Sequence, residues 1–420
     1  MPSATLHEAA ASLLGAAAVR LGAPDDAIEG VVPRLVAEPA TAEAVGAILE
    51  WASREKLGVL VRGSGTKLDW GSPPRQIDVL ISTARLNAVV AHRHGDLTAT
   101  IQAGATLGSV NRMLAQHRQW IPLDPPSVDY ATIGGLVATN DSGPRRHRYG
   151  APRDLIIGVE FARADGKLAK GGGIVVKNVA GYDLPRLMTG SFGSLGVIVA
   201  ATFKLYPLTA VSRTLVVGCP TAADLGALAG RILSSPLTPT ALEFATHPLR
   251  LLVRFESIEA SVEQQCAIAE TLIGESGFSV RAVAGSDEEA LWNEHARFVA
   301  VDRCALLKVS ALPADLAGTL ELIDGVAGAR GYAAAGRAGL GVFLLCILGD
   351  VPLQKRVIET LRNAQPLGRG SAVLVRGSAE LKTLVDVWGP IGDGLPLMRA
   401  VKRELDPAGI LSAGRGPGGL

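Results

Sequence analysis

Aromatic residues are scarce in this chain. Phe, Trp and Tyr make up 4% of its 420 residues, too few for platforms on which nucleobases stack. Neither sign of charge is in excess: 41 Lys plus Arg against 40 Asp plus Glu leave +1. That balance gives no electrostatic footprint for nucleic acid or an anionic membrane. The cysteines, Cys219, Cys266, Cys304 and Cys346, lie 38 to 47 residues apart. No two form a Cys-x-x-Cys pair, which excludes a local iron–sulfur or zinc motif, and no metal site is expected. They read as buried thiols of a reducing cytoplasm. Long apolar runs are also missing. The longest, Leu340 to Leu348, is far short of a bilayer span. Ala9 to Val19, preceded by Glu8 and without a basic flank, reads as a helix rather than a secretory leader. The expected location is cytoplasmic, with any membrane association made through a partner.

What is present suits a compact protein. Apolar residues are 48% and charged residues 19%, and the length predicts two or three domains. Val31 to Val36 is strand-like, with Pro33 assigning it to a sheet edge. Thr41 is placed to cap a helix carrying Val45, Ile48, Leu49 and Ala52 at helical spacing. Val59 to Val61 follows as a strand. Strands are predicted over Ile77 to Ile81, Thr98 to Gln102, Ile156 to Arg163, Gly172 to Val176 and Gly196 to Leu205. Asp165-Gly166 marks a hairpin. A boundary falls near Pro207. Beyond it strands and helices alternate, as in Leu251 to Phe255, Val262 to Ile273, Ser279 to Val283 and Asp287 to Phe298. A second such unit runs from Leu306 to about Leu374.

Three small-residue stretches carry the chemistry. The first, Val61 to Lys67, follows a strand. Gly63 and Gly65 allow positive φ and close backbone approach, successive amides make an anion nest, and Arg62 or Lys67 adds charge. The second follows the rigid Pro122 to Pro126 segment. Thr132 caps a helix whose first turn holds Ile133, Gly134 and Gly135, with free N–H groups suited to phosphate. Thr139, Asn140, Ser142 and Gly143 then supply small polar groups. The third spans Lys177 to Ile198, with Gly193 and Gly196 ahead of Val197 and Ile198. Small residues there permit contact with a flat ring. Taken singly, each stretch also fits a tight turn or a closely packed helix.

The first loop is not a dinucleotide fingerprint. Leu68 replaces the third glycine, and Trp70, Gly71 and two prolines prevent a helix from starting. Nor is it a Walker loop. Among seven histidines, His92 and His94 have strand spacing but lie in a polar hairpin. His147 sits among Arg145, Arg146, Arg148 and Tyr149, cations that suit a phosphate, a substrate carboxylate or water. His247 and His295 have no recognisable partner and are assigned to packing or surface. No catalytic base is identified.

In this order RGSGTK (from Arg62), TIGGLVATNDSG (from Thr132) and KNVAGYDLPRLMTGSFGSLGVI (from Lys177) resemble the PCMH-type FAD domain of the vanillyl-alcohol oxidase superfamily. Within it they are similar to the FAD-binding subunits of glycolate oxidases. The resemblance covers Val31 to Leu208, and more loosely the rest of the chain, including LDPAGIL from Leu405. It implies an α+β fold: an N-terminal helical segment over 1–30, a PCMH-type FAD domain of two α+β subdomains over 31–208, and an α+β cap-like domain over 209–385. A C-terminal helix and tail over 386–420 return to the FAD domain. It implies that Arg62 to Lys67 cradle the FAD diphosphate. Pro122, Thr132 to Gly135, Thr139, Asn140, Ser142, Gly143 and Tyr149 would contact diphosphate and flavin, and Gly193, Gly196, Val197 and Ile198 the adenosine side. Two departures matter. Thr66 stands where covalent-flavin relatives often carry His, which favours non-covalent FAD. Ser412-Ala413-Gly414 replaces the usual Asn-Pro-Gly. The His-rich metal motif of related catalytic subunits is absent. That absence argues for a second flavin subunit that relays electrons or completes the complex; the chain is expected to take part in oxidising a small 2-hydroxy acid, glycolate, together with another flavin subunit and an iron–sulfur subunit rather than unaided. A stand-alone dehydrogenase of another hydroxy acid or sugar, and a scaffold without flavin, are the alternatives.

Overall fold

The computed structural model describes residues 2–174, 181–298, 304–365 and 369–420. The motif residues Lys177 to Ala180 and the end of the strand expected over Gly172 to Val176 lie outside them. The strand there is Leu168–Gly172.

The first layer is a four-stranded sheet. Leu35–Ala37 and Val59–Arg62 lie parallel on either side of Val79–Ser82, and Val19–Leu21 adds antiparallel to Leu35–Ala37. The strand expected over Val31 to Val36 at an edge is thus Leu35–Ala37, inside the sheet. Pro33 precedes it, so its missing N–H costs no ladder bond. The chain from Leu35 to Arg62 makes a strand–helix–strand unit. Thr41 caps the helix Ala42–Arg54 by accepting from Ala44 N at 3.1 Å. Its buried Val45, Ile48, Leu49 and Ala52 share one core with Leu35, Val59, Val79, Val197 and Val199. The N-terminal helix is Ser3–Leu14, not Ala9 to Val19, and Val19 already begins the edge strand.

The second layer is antiparallel, in the order Val89–Arg93, Thr98–Gln102, Val197–Lys204, Ile156–Ala162, Leu168–Gly172. Val197–Lys204 is buried on both faces. Val197 and Val199 join the core of the first sheet, while Ile198, Ala201 and Phe203 join a second core with the helices Leu107–Leu114 and Ile133–Thr139.

Residues from Val211 to Arg376 build an eight-stranded antiparallel sheet. Its order is Val280–Val283, Val211–Gly218, Arg250–Ser257, Ala241–Ala245, Tyr332–Arg337, Val342–Ile347, Ala305–Ser310, Ser371–Arg376. Period-two alternation sorts its side chains. Leu242, Phe244, Leu251, Val253, Leu307, Val309, Phe343 and Leu345 pack under the helices Ala222–Leu233, Glu259–Glu275, Leu316–Ala327 and Val351–Ala364. The opposite face carries Glu243, Arg254, Lys308 and Arg337. Cys304 and Cys346, expected as thiols, are joined as a disulfide. Pairing of Ala305–Ser310 with Val342–Ile347 brings them together across 42 residues, a contact that sequence spacing does not reveal. No helix among the described residues is long and apolar enough to cross a membrane.

After this sheet the chain returns. Val59 N donates to Ile410 O and Ser412 N to Val59 O, so Leu411 runs beside Val59. The turn is held by a buried ion pair. Lys402 Nζ lies 2.6 Å from Asp406 Oδ2 and also donates to the Ser194 and Leu411 carbonyls. Asp406 accepts from the amides of Ile410 and Leu411. Removing one partner of such a pair strands the other charge. Asp406→Ala is expected to lower unfolding free energy by about 3–5 kcal/mol, read as a fall in the urea midpoint.

Candidate functional site

The three small-residue stretches meet in one groove of about 110 Å³. Gly63, Ser64, Gly65, Thr66 and Lys67 form one wall, Thr132, Gly134, Gly135 and Thr139 the second, and Gly193, Gly196, Val197 and Ile198 the third. Gly65 has φ +87°, which a side chain would strain. A Cβ at Gly63 would fall 2.1 Å from Thr132 Oγ1, so glycine lets the loop touch the helix start. Ser64 Oγ donates to Tyr130 O and ties the loop down. Among the described residues no group accepts from the amides of Ser64, Gly65, Thr66 or Lys67. They face the groove as unclaimed donors, the requirement of an anion nest.

The short helix behaves differently from expectation. Its first-turn amides are not free. Ile133 N donates to Ala105 O at 2.9 Å, Gly134 N to Ala103 O at 2.8 Å, and Gly135 N to Thr132 Oγ1 at 3.3 Å. A Cβ at Gly134 would stand 2.8 Å from Ala103 Cβ. This glycine therefore serves close packing on the second sheet, and the donors that reach the groove are those of the first loop.

Several expected site residues lie elsewhere. Arg62 turns away, pairing with Asp26 Oδ1 at 3.0 Å. Arg20, with Arg62, holds the Asp26 carboxyl below the ordinary range. Ile133 and Pro122 are buried. Asn140 ends the helix with φ +49° and accepts from Arg153 N. Tyr149 packs edge-on between Trp120 and Tyr206, with ring centroids 6.1 and 5.0 Å away. Ser142 and Gly143 line cavities beside the groove, and their carbonyls accept from Arg337.

Other residues enter without a sequence signal of this kind: Trp70, Thr83, Ala103, Phe192, Ser412 and Arg415. Arg415, 6% exposed, reaches the groove from the returning tail. Its Nη2 donates to Leu68 O and Trp70 O, both at 2.6 Å, while Nη1 is buried with no partner. A buried guanidinium nitrogen with no acceptor, in the same groove as unclaimed amides, suits an acceptor-rich anion. The donor set fits the diphosphate of a dinucleotide. Among the described residues that line the groove, none is His, Cys or Tyr.

Past Thr66, Lys67 and Trp70 the groove opens into a chamber of about 570 Å³ beneath the charged face of the eight-stranded sheet. Lys67 is paired with Asp141 at 3.2 Å. Arg146, Lys308 and Arg337 line the chamber from three directions. Arg337 lies 3.7 Å from Glu243. Among the described residues the side chains of Arg146 and Lys308 have no hydrogen-bond or ion-pair partner. A neighbouring cavity holds a buried network. Arg145 bonds Glu256 at 2.8 and 3.0 Å and lies over the Trp120 ring. Burial opposes ionisation of Glu256, yet Arg145 keeps its carboxyl below the ordinary value. Burial pushes Asp124 up to about 6. His295, assigned from sequence to packing or surface, has a partner after all: its Nε2 lies 3.0 Å from Glu243 Oε2. His247 Nε2 bonds Tyr332 O. His92, His94 and His117 group on the surface, yet no metal-holding group occurs among the described residues.

Residues 33–172 match the FAD binding domain family and residues 389–415 the C-terminal domain of FAD linked oxidases. The chain is 28% identical to the glycolate oxidase subunit GlcD of Bacillus subtilis, over 91% of this chain and 89% of that protein. It is 33% identical to a D-lactate dehydrogenase of Archaeoglobus fulgidus over 50% of this chain and 47% of that protein. It is 27% identical to a D-2-hydroxyglutarate dehydrogenase of Xanthomonas citri pv. viticola over 91% and 89%. In fold it is similar to p-cresol methylhydroxylase, with a TM-score of 0.75 at 16% identity, covering 98% of this chain and 96% of that one.

The groove makes a specific demand on Arg415. Arg415→Met is expected to weaken FAD binding by about 10-fold or more, measured by quenching of flavin fluorescence on titration. Thr83→Ser, conservative in the same wall, is expected to change it little. Equal affinities for R415M and the parent would remove Arg415 from the diphosphate site.

Proposed function

We propose that the chain, similar over most of its length to FAD-linked hydroxy-acid oxidoreductases, oxidises a small 2-hydroxy acid as the flavin subunit of a glycolate-oxidase-type complex. The observation that carries this reading is the chamber. It adjoins the groove at Thr66, Lys67 and Trp70, and its wall holds half-buried Arg146 and Lys308, which form no ion pair among the described residues and feel Asp154 and Asp141 only at longer range. Partly desolvated cations without a close ion pair gain from an anion that joins them. A substrate carboxylate supplies one.

In this reading the amides of Ser64 to Lys67, with Arg415, hold the FAD diphosphate. Gly193 to Ile198 offer a flat backbone surface to the cofactor. FAD, when bound, accepts the hydride from the substrate carbon. The chain's own part is to seat the carboxylate on Arg146 and Arg337 and close out water beneath the sheet. We take binding to be non-covalent: covalent attachment needs a nucleophilic His, Cys or Tyr, and Thr66 stands in the glycine loop with none of these among the described residues lining the groove. Partner subunits, a second flavin chain and an iron–sulfur chain in the cytoplasm, complete electron transfer.

The test is the visible spectrum of the purified chain before and after anaerobic glycolate, D-lactate and D-2-hydroxyglutarate. Flavin bands bleached by one of them are the expected result, and acid precipitation is expected to release all flavin into the supernatant. Bands untouched by every acid would overturn a reducing role for this chain, and a colourless chain that refuses FAD would overturn the reading altogether.

A further inference from the structure

Oxidation of a 2-hydroxy acid also needs an acceptor for the hydroxyl proton, and neither motif nor resemblance supplied one. We propose that Lys308 Nζ is that acceptor, a catalytic residue of the chamber.

Lys308 sits in the apolar strand Ala305–Ser310. Leu307 and Val309 point into the core under the helices, so period-two alternation sends Lys308 to the other face, into the chamber that adjoins the flavin groove. It is half-buried, lines the chamber, and among the described residues it has no hydrogen-bond or ion-pair partner. The groups facing it are Arg146 and Arg337, Asp141 (held by Lys67), and Arg376 on the neighbouring strand beside Asp69. The guanidinium groups keep their protons under all working conditions; of the cations without a counter-ion here, Lys308 alone can lose one. Burial, reinforced by Arg146 and Arg337 and opposed by Asp141, pushes its ammonium down to about 8. Lysines shifted in this way serve as general bases. His295 is less well placed. It lines the adjoining cavity and has Nε2 committed to Glu243.

The step balances with the FAD that the chain binds. The substrate O–H bond breaks and an N–H bond forms at Lys308 Nζ. The α-hydrogen leaves with its electron pair to FAD, and the 2-hydroxy acid becomes a 2-oxo acid. Arg146 and Arg337 remain as the carboxylate clamp.

The inference rests on the proposed function, and its test separates the two. Flavin reduction by the most active 2-hydroxy acid is followed by anaerobic stopped flow across pH. Because the neutral amine is the active form, the wild-type rate should rise with pH around a midpoint of about 8 and then level off. Lys308→Met and Lys308→Arg, checked for normal flavin content and melting temperature, should lose about 100-fold or more and lose that limb. Ethylamine should restore part of the rate to Lys308→Ala, which a merely structural lysine would not allow. In flavin-free protein, the lysine Cε resonance that disappears in K308R should titrate near 8. Wild-type rates and pH profile in K308M and K308R, or titration of that resonance at the ordinary value of about 10.4, would overturn the assignment of Lys308 alone. A wild-type flavin that no 2-hydroxy acid reduces would instead overturn the function, and the proton acceptor with it.

Discussion

A sheet with one apolar and one charged face can be buried in only one way. The eight-stranded sheet covers its apolar face with four helices, and the remaining face carries Glu243, Arg254, Lys308 and Arg337 into the interior of the molecule. Buried charge must be matched. Much of the matching comes from the other half of the chain. Arg145 meets Glu256, the Ser142 and Gly143 carbonyls meet Arg337, and Asp69 meets Arg376. Directional polar contacts thus hold the two halves together with an apolar cluster in which Trp70 and Phe192 meet Leu306 and Val375 of the sheet. A chamber is left where matching is incomplete, lined by Arg146 and Lys308 that form no ion pair among the described residues.

The groove follows a different rule. It is made of backbone, supplied by three segments distant in sequence and brought together around Val197–Lys204. Because that strand is buried on both faces, the two layers cannot slide without exposing one core. The first loop can thus leave its amides unclaimed: Ser64 and the Gly63–Thr132 contact hold it in place without using them. The tail completes the enclosure, with Lys402 and Asp406 fixing the turn that delivers Ser412 and Arg415.

Much of the groove was legible in the sequence because glycine spacing is a local signal. Gly65 and Gly193 are needed for positive φ, a reason local to each, whereas Gly63 and Gly196 make room for Thr132 and Phe161, distant in sequence. The same locality misled at Gly134, where the helix start suggested free amides and packing against Ala103 had already taken them. Arg62 is basic and next to the loop, yet Asp26, 36 residues upstream, claims it. His295 looked unpartnered because Glu243 lies 52 residues away. The Cys304–Cys346 disulfide joins residues 42 apart. These are long-range pairings, set by strand order, and no single-chain pattern encodes them. Lys308 did leave a trace: a lone charge in the strand Ala-Leu-Leu-Lys-Val-Ser is anomalous unless one strand face is polar. Arg415 lay in a glycine-rich tail that reads as a frayed end.

The return of Leu411 to Val59 also orders events during synthesis. The first loop emerges from the ribosome roughly 350 residues before Arg415, and domains generally fold as they emerge. The nascent FAD half must wait through synthesis of the whole eight-stranded sheet with one side of its groove open. Val59 meanwhile leaves part of its backbone unpaired at the sheet edge. Loading of the flavin in its final enclosure is thereby reserved for chains that have been read through to the tail, and a chain truncated before Ile410 would present an exposed strand edge to quality control instead of a finished cofactor site.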